Sequence, residues 1–132
     1  FRIQAVRLNE IAAQFGEQMD FYCVYIQEAH PQDGWQVDSN LRDDVIYDTP
    51  TSIDERADLA QTCVLRLNMA MPMLLDDMND TVDTLYNGLP ERLYVLDAGH
   101  KVVWKTVAGS PGFDPEAWAD AIARFLEENE TP

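Results

Sequence analysis

A glutamate and a histidine two positions apart are the residues of this chain best suited to move a proton. Glu28 and His30 follow an apolar run, residues 19–26, whose aromatic and β-branched composition predicts a β-strand. A carboxylate beside an imidazole sets the tautomer of the ring and raises its pKa, so the pair could relay a proton. In the alternative interpretation, the two side chains only close a strand end and pair with each other.

Three further side chains could contact a bound molecule. Tyr25 and Trp35 flank the pair and could form an aromatic wall for a ring-shaped ligand, although aromatic residues near a strand end more often belong to the core. Arg92 could bind a carboxylate of the ligand, or it could form a salt bridge in this acidic chain. His100 lies in a predicted turn and is expected to be exposed and without a role.

The two cysteines and a cluster of aspartates are not expected to do chemistry. Cys23 belongs to a predicted strand and Cys63 to a predicted helix, and both are expected to be buried thiols outside any disulfide framework. Asp76, Asp77 and Asp80 lack the glycine and the distal glutamate of an EF-hand loop. No metal and no cofactor are therefore predicted, and neither a phosphate-binding glycine loop nor a G-x-S-x-G motif occurs.

The composition predicts a single domain, residues 1–132, with an acidic surface. Hydrophobic residues make up 46% of the 132, which is enough for one core. The 24 acidic residues outnumber the 9 basic ones, and the net charge of -15 would repel nucleic acid and anionic lipid surfaces. No run approaches the about 18 apolar residues that span a bilayer, and the first residues do not form a secretory signal. A soluble, cytoplasmic protein is expected.

Hydrophobic periodicity predicts helices that alternate with strands, which is typical of an α/β sheet with an antiparallel edge. Ser52 and Glu55 form a capping-box pattern at the start of one helix, and the strands at 20–26 and 73–75 have the composition of buried strands. A long loop, residues 27–52, separates the first strand from that helix. The predicted helices are 3–15, 53–68, 81–86 and 115–127, and the predicted strands are 20–26, 73–75, 92–97 and 101–106, the last two forming a hairpin.

Three stretches of the chain carry specific motifs. Residues 20–35 contain DF, VYIQEAHP and DGW, a predicted strand that leads into Glu-Ala-His and then Asp-Gly-Trp. Residues 85–96 contain LY and LPERLYVL, and DDM lies upstream of them. With these strings at these distances, most of the chain resembles the iodothyronine deiodinase family. The resemblance weakens in residues 36–50 and past Lys105. It implies a thioredoxin-like fold of the peroxiredoxin type and an oxidoreductase that uses a thiol or, as in selenoproteins, a selenol.

The resemblance also implies where the reactive atom lies. Phe1 matches the phenylalanine that follows the family's selenocysteine-proline or cysteine-proline segment, so the nucleophile is expected a few positions before Phe1. There it would meet the N-terminus of the helix at 3–15, which lowers the pKa of a thiol or selenol. The chain as printed is therefore expected to be inactive alone. Glu28 and His30 would act as the catalytic proton relay, and Pro90 would form a cis peptide bond beside the nucleophile.

Two positions depart from the family pattern. Pro50 stands where the vertebrate enzymes have a second histidine that recognises the substrate, so weak selectivity for iodothyronines is expected. Met71 stands where some members have a resolving cysteine, which leaves the regeneration of the nucleophile to an external thiol or a thioredoxin.

The leading hypothesis is reductive dehalogenation of an aromatic substrate. A peroxiredoxin-like thiol peroxidase acting on a peroxide and a non-catalytic thioredoxin-like binding module are the alternatives. The fold also places the strand that precedes the first helix between the strands at 20–26 and 92–97. We therefore expect that strand to come from native upstream residues or from a neighbouring copy in a homodimer, and direct pairing of these two strands would refute this.

Overall fold

The computed structural model describes residues 4–27, 49–107 and 112–130 and shows helices alternating with short strands. Each predicted helix and strand is present. The strand at 73–75 has the predicted bounds, and the other three strands are shorter than predicted. In these three ranges no helix is both long and apolar enough to cross a membrane. The elements are α1 (Ala5–Phe15), β1 (Cys23–Tyr25), α2 (Ile53–Leu67), β2 (Met73–Leu75), α3 (Thr81–Tyr86), β3 (Tyr94–Leu96), β4 (Val102–Lys105) and α4 (Pro115–Asn129).

The strands form two separate pairs. β1 runs parallel to β2, with Val24 opposite Leu74, and β3 runs antiparallel to β4, with Val95 opposite Trp104. Within the described residues β1 and β3 do not pair with each other. This agrees with the expectation that a further strand belongs between them, and the α/β class with an antiparallel edge is confirmed.

A core between α1, α4 and β3 positions the two strand pairs. Helix α1 buries Leu8, Ile11 and Phe15, whose spacing of three and four residues places them on one face. Trp118 and Ile122 of α4 cover the same core one turn apart. Partly buried residues of β1, β2 and β4 pack against this cluster, namely Cys23, Met73 and Trp104.

Trp118 connects the core to both strand pairs. Its indole N–H donates to the carbonyl of Tyr94 in β3 at 3.1 Å. The ring also meets Phe21, just before β1, edge to face with centroids 5.6 Å apart. A single side chain therefore contacts both sides of the gap between β1 and β3, with its polar atom hydrogen-bonded as a buried indole requires.

An exposed ion pair joins the starts of α1 and α4. Arg7 Nε lies 2.6 Å and Nη2 2.8 Å from the two carboxylate oxygens of Glu116. This two-point contact lowers the pKa of Glu116 and raises that of Arg7. Because the pair is exposed to solvent, its contribution to the free energy of unfolding is expected to be small. It does connect the first turns of the two helices.

The start of α2 follows the predicted capping pattern only in part. Ser52 Oγ accepts a hydrogen bond from the Glu55 N–H at 3.2 Å, as predicted. The Glu55 carboxylate, however, accepts from the N–H of Thr51 at 2.6 Å, one residue earlier than a capping box requires. The same Thr51 N–H, together with its hydroxyl, lowers the pKa of Glu55.

The prediction that β1 and β2 are buried on both faces is wrong. Val24 and Leu74 lie opposite each other and are 36% and 47% exposed. Only the alternate face, which carries Cys23 and Met73, packs against the core. The apolar composition of these segments predicted strands correctly. It could not show that only one of the two faces of each strand would be covered by the described residues.

The hairpin between β3 and β4 is confirmed, with Asp97 organising its turn. Asp97 Oδ1 accepts hydrogen bonds from the N–H groups of Gly99 and Lys101, both at 2.9 Å. His100 has a φ of 65° and adopts the left-handed backbone conformation that glycine adopts most easily. Its side chain is exposed, as predicted.

Truncating Ile11 should test the core. Ile11 is 0% exposed, so Ile11→Ala should lower the free energy of unfolding by about 2–5 kcal/mol through lost burial and a residual cavity. Val6→Ala on the same helix is the control, because Val6 is 68% exposed and its loss should change stability by no more than about 0.5 kcal/mol. Urea unfolding of both variants gives the comparison, and equal losses would contradict this core.

Candidate functional site

The end of β1 and the loop before β3 lie against each other. A Cβ atom on Gly88 would stand 3.5 Å from Ile26 Cδ1 and 3.6 Å from Asp83 Oδ1. The backbone of this loop therefore passes directly beside the residue that follows β1. Because Glu28 and His30 come next along the chain, this junction is the part of the described structure nearest in sequence to the predicted proton relay.

Pro90 lies in this loop, and the Leu89–Pro90 bond is cis, as the resemblance implies. Leu89 is 39% exposed and Pro90 is also exposed, so a molecule from solvent can reach both. The loop therefore has an accessible surface at Leu89 and Pro90, and a role of Pro90 in binding or catalysis stays a prediction.

Asp83 of α3 hydrogen-bonds to both segments of this junction. Its Oδ2 accepts from the side-chain amide of Gln27 at 2.6 Å, and its Oδ1 accepts from the Leu89 N–H at 2.8 Å. Asp83 is 7% exposed, and both hydrogen bonds are partly buried. Sequence analysis missed Asp83 and Gln27, and no pattern in the sequence distinguishes this aspartate from the many solvent-facing ones.

Asp76 holds the start of α3 from the end of β2. One carboxylate oxygen accepts from the N–H groups of Asp77 and Val82, both at 2.9 Å, and the other accepts from the Asp83 N–H at 2.9 Å. The side chain is 1% exposed, and three N–H donors compensate a buried carboxylate. Its oxygens therefore serve the backbone, and the described residues contain no cluster of potential ligands arranged for a metal ion.

Arg56 is a buried cation beneath the same segment. Its Nη1 donates to the carbonyls of Asp76 and Asp77 at 3.3 and 2.6 Å, and its Nη2 pairs with Asp80 Oδ1 at 3.1 Å. It is 3% exposed, and its Nε has no hydrogen-bond partner among the described residues. The one feature of the sequence that could have indicated the burial of Arg56 is its spacing of four residues from Ala60, which is buried and shares the inner face of α2.

Arg92 binds backbone rather than the predicted salt-bridge partner. Its Nε donates to the Thr106 carbonyl at 2.8 Å and its Nη1 to the Tyr86 carbonyl at 3.3 Å. The guanidinium also lies 5.4 Å from the centre of the Tyr94 ring. Among the described residues Arg92 forms no salt bridge with a carboxylate, and both the salt-bridge interpretation and contact with a substrate carboxylate stay predictions.

Arg92 also lines an open pocket of about 490 Å³ between α3 and the hairpin. Tyr86 and Tyr94 meet there edge to face with centroids 4.9 Å apart, and the Tyr94 hydroxyl donates to the Tyr86 carbonyl. The charged residues that line it are cationic, in contrast to the rest of this acidic chain. The lining consists of Leu85, Tyr86, Asn87, Arg92, Tyr94, Val102 and Lys105.

Of the other predicted site residues, only Tyr25 lies within the described ranges. Tyr25 ends β1 half-buried, and its carbonyl accepts from the Asp76 N–H at 2.9 Å. Glu28, His30 and Trp35 lie outside the described residues, so their roles stay predictions. The structure thus brings Gly88, two residues before Pro90, close to Ile26, two residues before Glu28, and places Arg92 in a pocket on the hairpin.

The described thiols are poorly suited to act as nucleophiles. Cys23 and Cys63 are both reduced and partly buried. Burial, with a smaller contribution from the neighbouring Cys63, raises the pKa of Cys23 to about 11. The Cys23 thiol is therefore protonated at neutral pH, when only the thiolate attacks.

Both departures from the family pattern occupy buried positions. Pro50 is buried just before α2, and Met71 is a core residue with 7% exposure. The weak selectivity for iodothyronines and the need for an external thiol, which were inferred from these two positions, stay predictions.

Comparison with known proteins gives a consistent result. A family model described as iodothyronine deiodinase matches residues 1–129. Type I iodothyronine deiodinase of Xenopus laevis is 31% identical over 116 residues, which cover 88% of this chain and 44% of the relative. Thyroxine 5-deiodinase of Aquarana catesbeiana is 36% identical over 114 residues, covering 85% and 39%. The chain spans less than half the length of these curated relatives.

The raised pKa of Cys23 predicts slow alkylation. In a Cys63→Ser variant, iodoacetamide should modify folded Cys23 with a pH midpoint above the about 8.5 of an unperturbed thiol, because burial is the main cause of the shift. The unfolded protein in urea should show the ordinary midpoint. A folded-state pKa above the unfolded one also means that stability falls as pH rises between these two values. Mass spectrometry gives the rates, and a folded midpoint near 8.5 would contradict the burial of this thiol.

Proposed function

Because the chain belongs to the iodothyronine deiodinase family, we propose that the protein is a thiol- or selenol-dependent oxidoreductase that removes a halogen from an aromatic ring. The observation that carries the proposal is the junction between the Pro90 loop and the end of β1. Pro90 is accessible there, and the chain continues from this junction directly into Glu28 and His30.

The proposed reaction divides the work between a chalcogen and a proton relay. A thiolate or selenolate, expected upstream of Phe1, attacks the halogen and takes it from the ring as the carbon–halogen bond breaks. The electron pair of that bond stays on the ring carbon, which takes a proton from His30. Two external thiols, or a thioredoxin, then reduce the chalcogen–halogen bond, becoming a disulfide and releasing the halide.

The two cysteines within the described residues have properties that favour a different residue as the nucleophile. Cys23 is protonated at neutral pH and packs against the core. Cys63 lies on α2 and is also partly buried. Since attack on a halogen requires an exposed, ionised chalcogen, these partly buried thiols are poorly suited, and the residue expected before Phe1 would take this role.

The substrate is proposed to be an iodinated or otherwise halogenated phenol. An aromatic wall from Tyr25 and Trp35 would hold the ring, and Arg92 would bind a carboxylate where the substrate carries one. The half-buried position of Tyr25 at the end of β1 is compatible with this role. The curated relatives are named for iodothyronine and thyroxine, which are iodinated aromatic molecules of this class.

The proton relay makes the activity sensitive to one of the two histidines. In the full-length protein, with dithiothreitol as donor and iodide release from an iodophenol as the assay, His30→Ala should lower kcat by roughly 10²–10⁴-fold. Glu28→Gln should lower kcat less, since it keeps the side-chain shape and loses only the charge. His100→Ala is the control, because His100 is exposed in the hairpin turn and should leave kcat unchanged.

The pH profile gives a second measure of the same role. The wild-type rate should fall as pH rises past the pKa of His30, because a general acid must be protonated, and this limb should vanish in His30→Ala. Iodide release that is unaffected by His30→Ala would contradict the relay. Rapid peroxide reduction without iodide release would favour a thiol peroxidase instead.

Pro50 predicts a broad substrate range. Without an imidazole at this position, the full-length protein should show similar kcat/KM values for thyroxine and for a simple iodophenol. Competition between the two substrates, followed by iodide release and chromatography of the products, measures the ratio. A strong preference for thyroxine would show that other residues supply the recognition.

A further inference from the structure

The proposed site is built from two segments that the described sheet hydrogen bonds do not join. Gln27 continues from β1, which pairs with β2, while Leu89 and Pro90 lead to β3, which pairs with β4. The geometry of a reaction between groups on the two segments therefore depends on what holds the segments together. Misplacement by about 1 Å can lower a rate by about a hundredfold, so this connection matters for catalysis.

Asp83 makes a direct polar connection between them. One carboxylate oxygen accepts the Gln27 amide at 2.6 Å, and the other accepts the Leu89 N–H at 2.8 Å. Because Asp83 Oδ2 lies 2.6 Å from the Gln27 amide nitrogen, the Gln27 side chain is fixed with its N–H₂ group toward Asp83. Both contacts are shorter than the about 2.9–3.0 Å that is most common for N–H···O hydrogen bonds.

Asp83 is itself held in place from the other side. Its backbone N–H donates to Asp76 at 2.9 Å, and its carbonyl accepts from the Gly88 N–H at 3.1 Å. Asp76 is fixed in turn by the N–H of Asp77, the next residue in the chain, and by the N–H of Val82 in the first turn of α3. The connection between Gln27 and Leu89 thus rests on an anchored helix rather than on a mobile surface side chain.

We propose that Asp83 is a positioning residue that sets the separation between the Pro90 loop and the segment leading into Glu28 and His30. The inference rests on the proposed function for the reaction it serves, but the connection itself is structural. As a positioning residue, Asp83 would not contact the substrate. It acts through Gln27 and Leu89, and its loss should lower kcat while leaving KM nearly unchanged.

A reciprocal exchange of carboxylate and amide tests this connection. Gln27→Glu places two carboxylates face to face where one hydrogen bond was, and kcat in the full-length protein should fall on the order of tenfold to a hundredfold. Adding Asp83→Asn restores a donor opposite Glu at position 27, while the Asn oxygen still accepts from Leu89. The double variant should recover most of the lost kcat.

The control for the exchange is Asp120→Asn in the Gln27→Glu background. Asp120 is exposed on α4, so the substitution removes the same charge without restoring a hydrogen bond, and kcat should stay low. Recovery with Asp120→Asn would mean that net charge, not the connection, determines kcat. An unchanged kcat per folded molecule in Gln27→Glu would likewise overturn the proposal.

Hydrogen exchange tests the connection independently of activity. Asp83→Ala removes the acceptor for the Leu89 N–H, so exchange in the peptide containing Leu89 should be up to about tenfold faster in the full-length protein. If the wild-type protein releases no halide, the proposed function fails, and this measurement alone decides whether Asp83 holds the loop. Unchanged exchange at Leu89 would refute the connection.

Discussion

Burial of the apolar faces of α1 and α4 against both strand pairs is the interaction on which the described structure depends. β1 and β3 share no backbone hydrogen bonds in the described residues, so the core must hold the pairs in position. Ile11 and Ile122 are almost fully buried at its centre, and Trp118 contacts elements on both sides of the gap. Because close-packed interiors transmit small displacements, the distance between the two halves of the site depends on this packing.

Buried polar residues around α3 fix the arrangement of the loops more closely than the apolar core does. Asp76 and Asp83 carry buried carboxyl groups at the end of β2 and within α3. Three backbone N–H groups donate to Asp76, and the Leu89 N–H and the Gln27 amide donate to Asp83. Arg56 supplies a compensating cation beneath the same segment through Asp80 and two carbonyls. Directional bonds of this kind specify one arrangement of the loops, whereas apolar contacts alone tolerate several.

The acidic surface and the chemistry of the site are separate features of this protein. The charge of -15 predicts repulsion of polyanionic partners, but it does not describe the local environment of the hairpin pocket, where the charged lining is cationic. The buried thiols show the same distinction, because the raised pKa of Cys23 reflects its packing and not the overall charge. Local burial and hydrogen bonding therefore govern reactivity, while net charge governs long-range association.

The sequence by itself determined the local structure of this protein. The helical periodicity of α1, α2 and α4, the capping residue Ser52 and the hairpin turn at Asp97 all depend on residues a few positions apart, and each was predictable for that reason. The quoted motifs also indicated the family and, through it, the cis bond before Pro90. These features are either local interactions or strings specific enough to identify relatives.

Only the tertiary structure decided which faces are buried and which side chains meet. The exposure of Val24 and Leu74 depends on what packs over β1 and β2, which their apolar composition cannot reveal. Arg56 and Asp83 resemble surface residues in the sequence, yet Gln27 and Asp83 bond across 56 positions and Arg56 and Asp80 across 24. Such contacts arise when the core brings distant segments together, because no local pattern specifies a partner that only the folded chain supplies.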